Sequence, residues 1–257
     1  MKLVVYTAIF GNYDKLKELK FNKKNIDYIC FTNEKSLKSK TWEIRFIEPN
    51  IQKENNSTIL NRDIKINCNK YLKDYDKSIY IDGNIQVLND LEDLFKYVEN
   101  CPMAALKHRT RECIYDEAYE CYRINKSGIE IINQVEKYKL EGFPSKFGMS
   151  ENCILIRNHK NPEIDLISKA WWDEFQSGVK RDQISLPYLK WKCSFNIKQL
   201  DFNPREPNGY LRWRQHDIKY KKFKKIWYNT KSWINGKQWR IEIKNVKAKN
   251  YNNDSNL

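Results

Sequence analysis

The sequence predicts an α/β fold, and three observations predict it. Short apolar runs rich in β-branched and aromatic residues alternate along the chain with stretches of helical periodicity. Several of those runs are apolar throughout, as strands buried on both faces of a sheet are. The chain has 257 residues, 40% of them apolar and 14% aromatic, enough to build a core in one large domain or two small ones.

The elements follow in order. Lys2–Phe10 reads as a first buried strand; its single lysine and apolar run resemble a leader peptide only superficially, since a Gly11-Asn-Tyr-Asp14 turn follows and no small-residue cleavage site is present. Asp27–Asn33 is a second strand, and Trp42–Glu48 alternates as a strand with one wet face. Leu60, Ile64, Cys68 and Tyr71 make one stripe of a helix over 57–71. Lys77–Asp82 is a short apolar strand ending in a carboxylate, with Asn84–Leu88 as a second short strand. Asp90–Val98 reads as a short helix and Met103–Lys107 as a strand. Ser127 and Glu130 make a capping box for a helix to Leu140. Asn152–Arg157 is a buried strand, Pro162–Phe175 a helix, and Arg181–Trp191 a helical stretch broken by Pro187. Ser194–Asp201 is the last strand of the body.

Composition excludes several classes. No run approaches the ~20 apolar residues of a membrane-spanning helix, and mean hydropathy is −0.81. With 8 Trp, 16 Tyr and 11 Phe, there is too much ring surface for a disordered chain. The 8 glycines form neither a G-x-G-x-x-G nor a Walker loop. Seven cysteines, an odd number with no C-x-x-C and no zinc spacing to His, read as reduced thiols in core positions.

The net charge of +14 is unevenly placed. Residues 205–257 carry 14 Lys and Arg against 4 Asp and Glu, and four of the eight tryptophans: Trp213, Trp227, Trp233 and Trp239. The body before them is nearly balanced. Three readings apply to this segment: contact with an anionic membrane, where each basic residue contributes roughly 1 kcal/mol near the surface; nucleic-acid binding; or a basic tail whose tryptophans pack on the body.

The chemistry concentrates in Tyr75-Asp-Lys-Ser-Ile-Tyr-Ile-Asp-Gly-Asn84. The strand delivers Asp82 to a carboxyl-terminal sheet edge, where open α/β sheets keep their ligand crevices. Gly83 permits a tight turn, and Asn84 offers a second oxygen for a hard divalent cation. The alternative is a turn in which Asp82 and Asn84 cap their own backbone. Arg62 and Lys65, three residues apart on the preceding helix, either hold phosphates or form a solvated face.

Taken in order, several segments resemble the glycosyltransferase-like family shared by bacteria and plants, long described only as a domain of unknown function. They are Tyr6-Thr-Ala-Ile-Phe-Gly-Asn-Tyr-Asp14, Asp27–Asn33, the Arg62-x-x-Lys65 helix, Tyr75–Asn84, Lys107–Ala118, Ser150–Arg157 and Arg181–Tyr188, covering roughly residues 3–200. The resemblance implies a GT-A-type (Rossmann-like) mixed, mostly parallel sheet flanked by helices, with the basic aromatic segment as a C-terminal extension. It implies a metal-assisted transferase, hexosyltransferase-like, that moves a sugar from a nucleoside-diphosphate sugar, a UDP-sugar by expectation, to a hydroxyl of a glycan, polysaccharide or lipid-linked saccharide. Tyr6, Thr7 and Phe10 would line the nucleoside pocket with Phe31, Thr32 and Asn33. Arg62 and Lys65 would meet the diphosphate. Asp82, Gly83 and Asn84 would form the Asp-x-Asp element holding Mn²⁺ or Mg²⁺, with His216 as a third ligand; Asn84 brings an amide oxygen but no charge. Asp182 and Gln183 would lie beside the anomeric carbon, and Glu151 with Asn152 near the acceptor. His108, Arg109 and Arg111 form a basic cluster for acceptor or phosphate. For an inverting reaction the base would be Asp182 first and Glu151 second; for a retaining one, Asp182 or Gln183 would face the opposite side.

The expected organisation is a transferase domain over 1–204, a basic aromatic segment over 205–249 packed on or extending it, and a disordered tail over 250–257. The expected location is cytoplasmic, at the inner face of a membrane if the 205–249 segment makes a peripheral contact. The rival functions are a basic nucleic-acid-binding protein, disfavoured by the balanced body, and an inactive transferase fold that only binds glycan.

Overall fold

Leu3-Val-Val-Tyr-Thr-Ala-Ile9 has no polar alternation, so it is stable as a strand only where both faces are covered. It forms β1 (Leu3–Ile9), with all seven residues buried. The computed structural model describes residues 1–48, 57–206, 208–214 and 231–246. Beside β1 lie β2 (Ile26–Thr32), β3 (Glu43–Phe46) and β4 (Lys77–Ile81), followed along the chain by β5 (Ile85–Val87), β6 (Met103–Lys107), β7 (Ser150–Asn158), β8 (Ile197–Leu200) and β9 (Leu211–Trp213). The main sheet has the order β3-β2-β1-β4-β7-β6-β8. Only β7 runs antiparallel to its neighbours. This is the α/β fold that the sequence pattern predicts, with the mixed, mostly parallel sheet that the family resemblance implies. β5 and β9 form a separate antiparallel ladder.

The described chain divides into two compact units. The first comprises Met1–Arg109, Ser150–Trp172 and the described residues from Phe195 to Arg214, and it contains both sheets. Period-two alternation gives the main sheet two unlike faces. Leu3, Val5, Ile79, Ile81, Ile154 and Ile156 join an aliphatic core with Leu91, Leu94, Phe95 and Leu211. Tyr6, Phe31, Tyr80 and Arg157, which alternate with members of that core, are buried too, and α1 (Ser57–Ile66) is tied to this part of the sheet. Asn61 of α1 donates to the Ala8 carbonyl at 2.7 Å.

The second unit comprises Thr110–Met149, Asp173–Ser194 and the described residues 231–246. It holds α2 (Ile114–Arg123), α3 (Glu130–Leu140), the last turn of α4 (Glu163–Ser177), α5 (Asp182–Lys192) and a helix over 231–246, here α6. Tyr138 of α3 stacks on Tyr188 of α5 at 3.7 Å between centroids and 8° between planes. Tyr138 also donates to Glu174 at 2.7 Å.

Several elements depart from expectation for local reasons. The helix expected over 57–71 ends at Ile66, and a 3₁₀ turn, Cys68–Lys70, follows. Asp63 draws in the Asn67 amide at 2.6 Å and the Tyr71 hydroxyl at 2.5 Å, so side chains tighten this end. The helix expected over Asp90–Val98 is 3₁₀ over Glu92–Val98. Pro187 does not break its helix; α5 runs through it, with Ile184, Leu186, Tyr188 and Leu189 buried around it. That burial outweighs the roughly 3 kcal/mol that an interior proline costs. α2, β9 and α6 have no counterpart in the sequence reading. All seven cysteines are free thiols, five of them buried.

His159 closes β7 with its Nε2 2.8 Å from the Ser78 hydroxyl. Burial, reinforced by the charge of Arg157, lowers its pKa to about 4. The unfolded chain therefore takes up a proton near pH 6.5 that the folded chain refuses until about pH 4. Stability should fall as pH drops through that window, by ~1–3 kcal/mol. His159→Gln should flatten this part of the pH profile, read as urea midpoints from pH 7 to 4.

Candidate functional site

The site is built at the carboxyl-terminal edge of the first unit's sheet. β4 ends at Ile81, and Asp82 continues it, its amide donating to the Cys153 carbonyl of β7 at 2.9 Å. The Ile85 amide returns to the Asp82 carbonyl at 2.9 Å, closing a tight turn over Gly83. A Cβ at Gly83 would lie 2.8 Å from Ile9 Cγ1. Gly83 thus lets this turn press against the end of β1.

Asp82 is held from two sides. Its Oδ1 accepts from the Tyr80 hydroxyl at 2.9 Å and from Lys65 Nζ at 3.5 Å. The Lys65 side chain is only 3% exposed and lies 5.0 Å over the Tyr80 ring. This overturns the expectation of a solvated helix face at Lys65. Burial above all, then the Asp82 charge, pushes the Tyr80 hydroxyl well above its usual pKa, so it stays a donor. The Asp82 side chain is 34% exposed, and its Oδ2 has no hydrogen-bond partner among the described residues.

A second ion pair lies beside the first. Glu151 accepts from Arg205 at 2.5 Å, with the two side chains 13% and 28% exposed. The register of β7 against β6 jumps between Leu155 and Glu151; such a bulge re-aims the side chains next to it. Cys153 lies within the bulge. Its thiol is pushed well above the usual range, chiefly by burial and further by Asp82 and Glu151, with Lys65 and Arg205 opposing. The same four charged groups thus surround one buried thiol, which stays protonated and inert.

Arg157 supports the group from within the sheet. It is fully buried, donating to the Tyr6 hydroxyl at 2.8 Å and the Lys65 carbonyl at 2.7 Å. Burial disfavours its charge, but Cys68, Tyr6 and Tyr80 outweigh this and raise its pKa. Tyr6 in turn packs edge-on against Tyr80 at 5.3 Å and Phe31 at 6.2 Å.

Of the residues singled out in the sequence, Lys65, Asp82 and Glu151 come together here. Arg62 is half-buried, close enough for its charge to act on Tyr80, and bonds to Asn61. Asn33 accepts from the Gly11 amide at 3.2 Å and ties the ends of β1 and β2; Gly11, at φ +63°, occupies a conformation that glycine tolerates best. Tyr6, Thr7, Phe10, Phe31 and Thr32 are all buried, at 2% exposure or less. Asn84 is also buried; its amide donates to the Arg214 carbonyl at 2.9 Å, and its carbonyl accepts from the Arg214 amide at 2.8 Å. Asn84 thereby extends the β5–β9 ladder. His216 lies outside the described residues. Among the described residues, no group of three or more His, Cys, Asp or Glu could hold a metal ion.

Asp182 and Gln183 belong to the second unit, at the start of α5. Asp182 is buried and Gln183 half-buried. Arg181, just before them, reaches Glu117 at 4.0 Å, and Glu117 also takes Arg111 and the Cys121 thiol. Pro187 has no amide proton to return to the Gln183 carbonyl. The expected basic cluster is dispersed: His108 is buried, Arg109 is exposed, and Arg111 is paired with Glu117.

Arg205 and Arg157 were not among the sequence candidates. Arg205 falls in the stretch read as a basic extension. Arg157 carried a signal: a charge within an apolar run that reads as buried on both faces.

Two substitutions probe this arrangement. Arg157→Met strands the Tyr6 hydroxyl and the Lys65 carbonyl and should cost ~2–5 kcal/mol in urea unfolding, with Arg157→Lys recovering part of it. Thr7 Oγ1 is buried without a hydrogen-bond partner among the described residues. Thr7→Val should therefore raise stability by about 1 kcal/mol; a loss of stability would mean the hydroxyl has a partner.

Comparison with known proteins gives the context of this geometry. The model of the TOD1/MUCI70 glycosyltransferase-like domain matches residues 1–206. No curated protein sequence matches the chain. A solved structure, described as the apo form of the bifunctional glycosyltransferase WbbM, aligns with TM-score 0.45 and 14% identity, covering 77% of this chain and 38% of its own. The family match spans the whole edge of the sheet from β1 to Arg205, and the chain belongs to the TOD1/MUCI70 glycosyltransferase-like family.

Proposed function

We infer that the protein transfers a sugar from a nucleoside-diphosphate sugar to a hydroxyl of a glycan, polysaccharide or lipid-linked saccharide. The observation that carries this reading is the paired set Lys65–Asp82 and Arg205–Glu151 at the carboxyl-terminal edge of the sheet. The two carboxylates hold Lys65 and Arg205 in place, and a diphosphate would take over those cations from them. A diphosphate fits: Lys65 and Arg205 would take its oxygens, with Arg62 behind them. The donor's departing diphosphate gathers negative charge in the transition state, and fixed cations stabilise it most where the surroundings are apolar.

The donor set is compatible with a divalent cation held by one protein carboxylate. Asp82 keeps one oxygen without a hydrogen bond among the described residues, and Mg²⁺ or Mn²⁺ binds to one such carboxylate when substrate phosphates and water complete the shell. Asn84, as placed, serves the β5–β9 ladder. Bound at Asp82, the cation would add positive charge against the leaving diphosphate.

Proton transfer has two candidates. Asp182 is the first choice for an inverting reaction. Glu151 is the second: a diphosphate that draws Arg205 away would leave its carboxylate ready to accept the acceptor's hydroxyl proton. In a retaining reaction Asp182 or Gln183 would stabilise the opposite face.

Thermal-shift measurements against nucleoside diphosphates and their sugars, with and without Mn²⁺, test the reading. At least one pair should raise the melting temperature, more with Mn²⁺ than without. Asp82→Ala should abolish the Mn²⁺ increment, and Lys65→Met should lower sugar transfer by about 10²–10³-fold, the scale for one lost transition-state contact. No shift with any nucleotide, together with a large shift from an oligonucleotide, would falsify the assignment.

A further inference from the structure

The helix over 231–246 divides sharply around its axis. At about 100° per residue, Ser232, Asn235, Gly236 and Trp239 share one side, and this side packs on α2. Trp239 meets Tyr119 at 5.6 Å and Tyr122 at 5.4 Å. Asn235 donates to the carbonyls of Tyr122 and Arg123 at 3.3 Å each. Ser232 bonds to Arg123, and a Cβ at Gly236 would lie 3.0 Å from the Tyr119 hydroxyl. The orientation of the helix on α2 is therefore fixed by its own contacts.

The opposite side carries Trp233, Ile234 and Ile241, which are 63%, 51% and 60% exposed. Lys237, Arg240 and Lys244 share the same arc of about 120° and are exposed as well. Lys237 Nζ sits 3.7 Å from the centroid of the Trp233 ring. The side thus combines large apolar groups with cations and carries no carboxylate, since Glu242 falls on the packed half. A helix that only covered a protein core would turn its apolar residues inward; this one does so with Trp239 and still shows three others outward.

We propose that this face docks on an anionic lipid bilayer. The chemistry is that of an interfacial helix: a tryptophan at headgroup depth, two isoleucines reaching the acyl boundary, and cations meeting lipid phosphates. Charge complementarity selects the occupant, because the face shows Lys237, Arg240 and Lys244 and no carboxylate among the described residues. A protein partner would need carboxylates against every one of these cations, and a nucleic acid would leave the isoleucines unburied.

Flotation of the full chain with vesicles tests this. The protein should float with an equal mixture of phosphatidylcholine and phosphatidylglycerol and stay behind with phosphatidylcholine alone. Trp233→Ser with Ile241→Ser should weaken binding tenfold or more, and so should Lys237→Gln with Lys244→Gln. Both pairs are exposed, so melting curves should match the parent protein. Failure to float, equal flotation with neutral vesicles, or indifference to both double variants overturns the proposal. So does displacement from the vesicles by single-stranded RNA whose own binding depends on the same residues.

Discussion

Arg157 is the constraint on which the site depends. A guanidinium within a sheet covered on both faces is tolerable only when its donors are satisfied. Here they are used by the Tyr6 hydroxyl and the Lys65 carbonyl. Those two bonds join β7, β1 and α1 through one side chain, one at the backbone of Lys65 and the other at Tyr6, whose ring packs on Tyr80. No carboxylate among the described residues forms an ion pair with Arg157, so its charge is left to act over distance. After burial, that charge is the second cause that keeps His159 neutral.

The two faces of the sheet divide the work. The aliphatic face buries Leu3, Val5, Ile79, Ile81, Ile154 and Ile156 with no polar demands of their side chains, and that burial favours folding. The residues alternating with them include the hydroxyls of Tyr6 and Tyr80 and the one guanidinium. Because side chains alternate along β4, a one-residue slip would put an isoleucine in the place of Tyr80 and carry both Tyr80 and Asp82 away from Lys65. The parallel pairing of β1 with β4 and the antiparallel pairing of β4 with β7 together fix that register. Packing on one face is thus what places chemistry on the other.

This also explains how much of the molecule was legible in its sequence. The strands buried on both faces were readable because their apolar runs are continuous, and the edge carboxylate Asp82 was readable because it ends one of them. Lys65 was identified as a residue but not by its surroundings: helical spacing placed it off the apolar stripe, whereas the aromatic ring of Tyr80 gives its long stem an apolar bed. Arg205 was invisible because it joins the site through a loop, and loop residues carry no periodicity. α2 was missed because its charged residues, Asp116, Glu117, Glu120 and Arg123, mask a buried stripe of Ile114, Ala118 and Cys121. Pro187 misled because a local penalty was weighed without the tertiary burial that offsets it.

The charge distribution acquires a physical meaning only after the site is separated from the surface. At the sheet edge, Lys65 and Arg205 are matched by Asp82 and Glu151, all four partly or wholly shielded from solvent, where an unmatched charge would be costly. On the outer face of the 231–246 helix, the exposed cations have no matching carboxylates among the described residues, and there an unmatched charge costs little. A protein selected only for solubility would scatter such charges among acids. Concentrating them beside an exposed tryptophan and two isoleucines instead raises the attraction for an anionic apolar surface while leaving the fold indifferent to it. The same excess placed at the sheet edge would have bound phosphate indiscriminately; kept apart, it leaves the site's response to be set by its four paired groups.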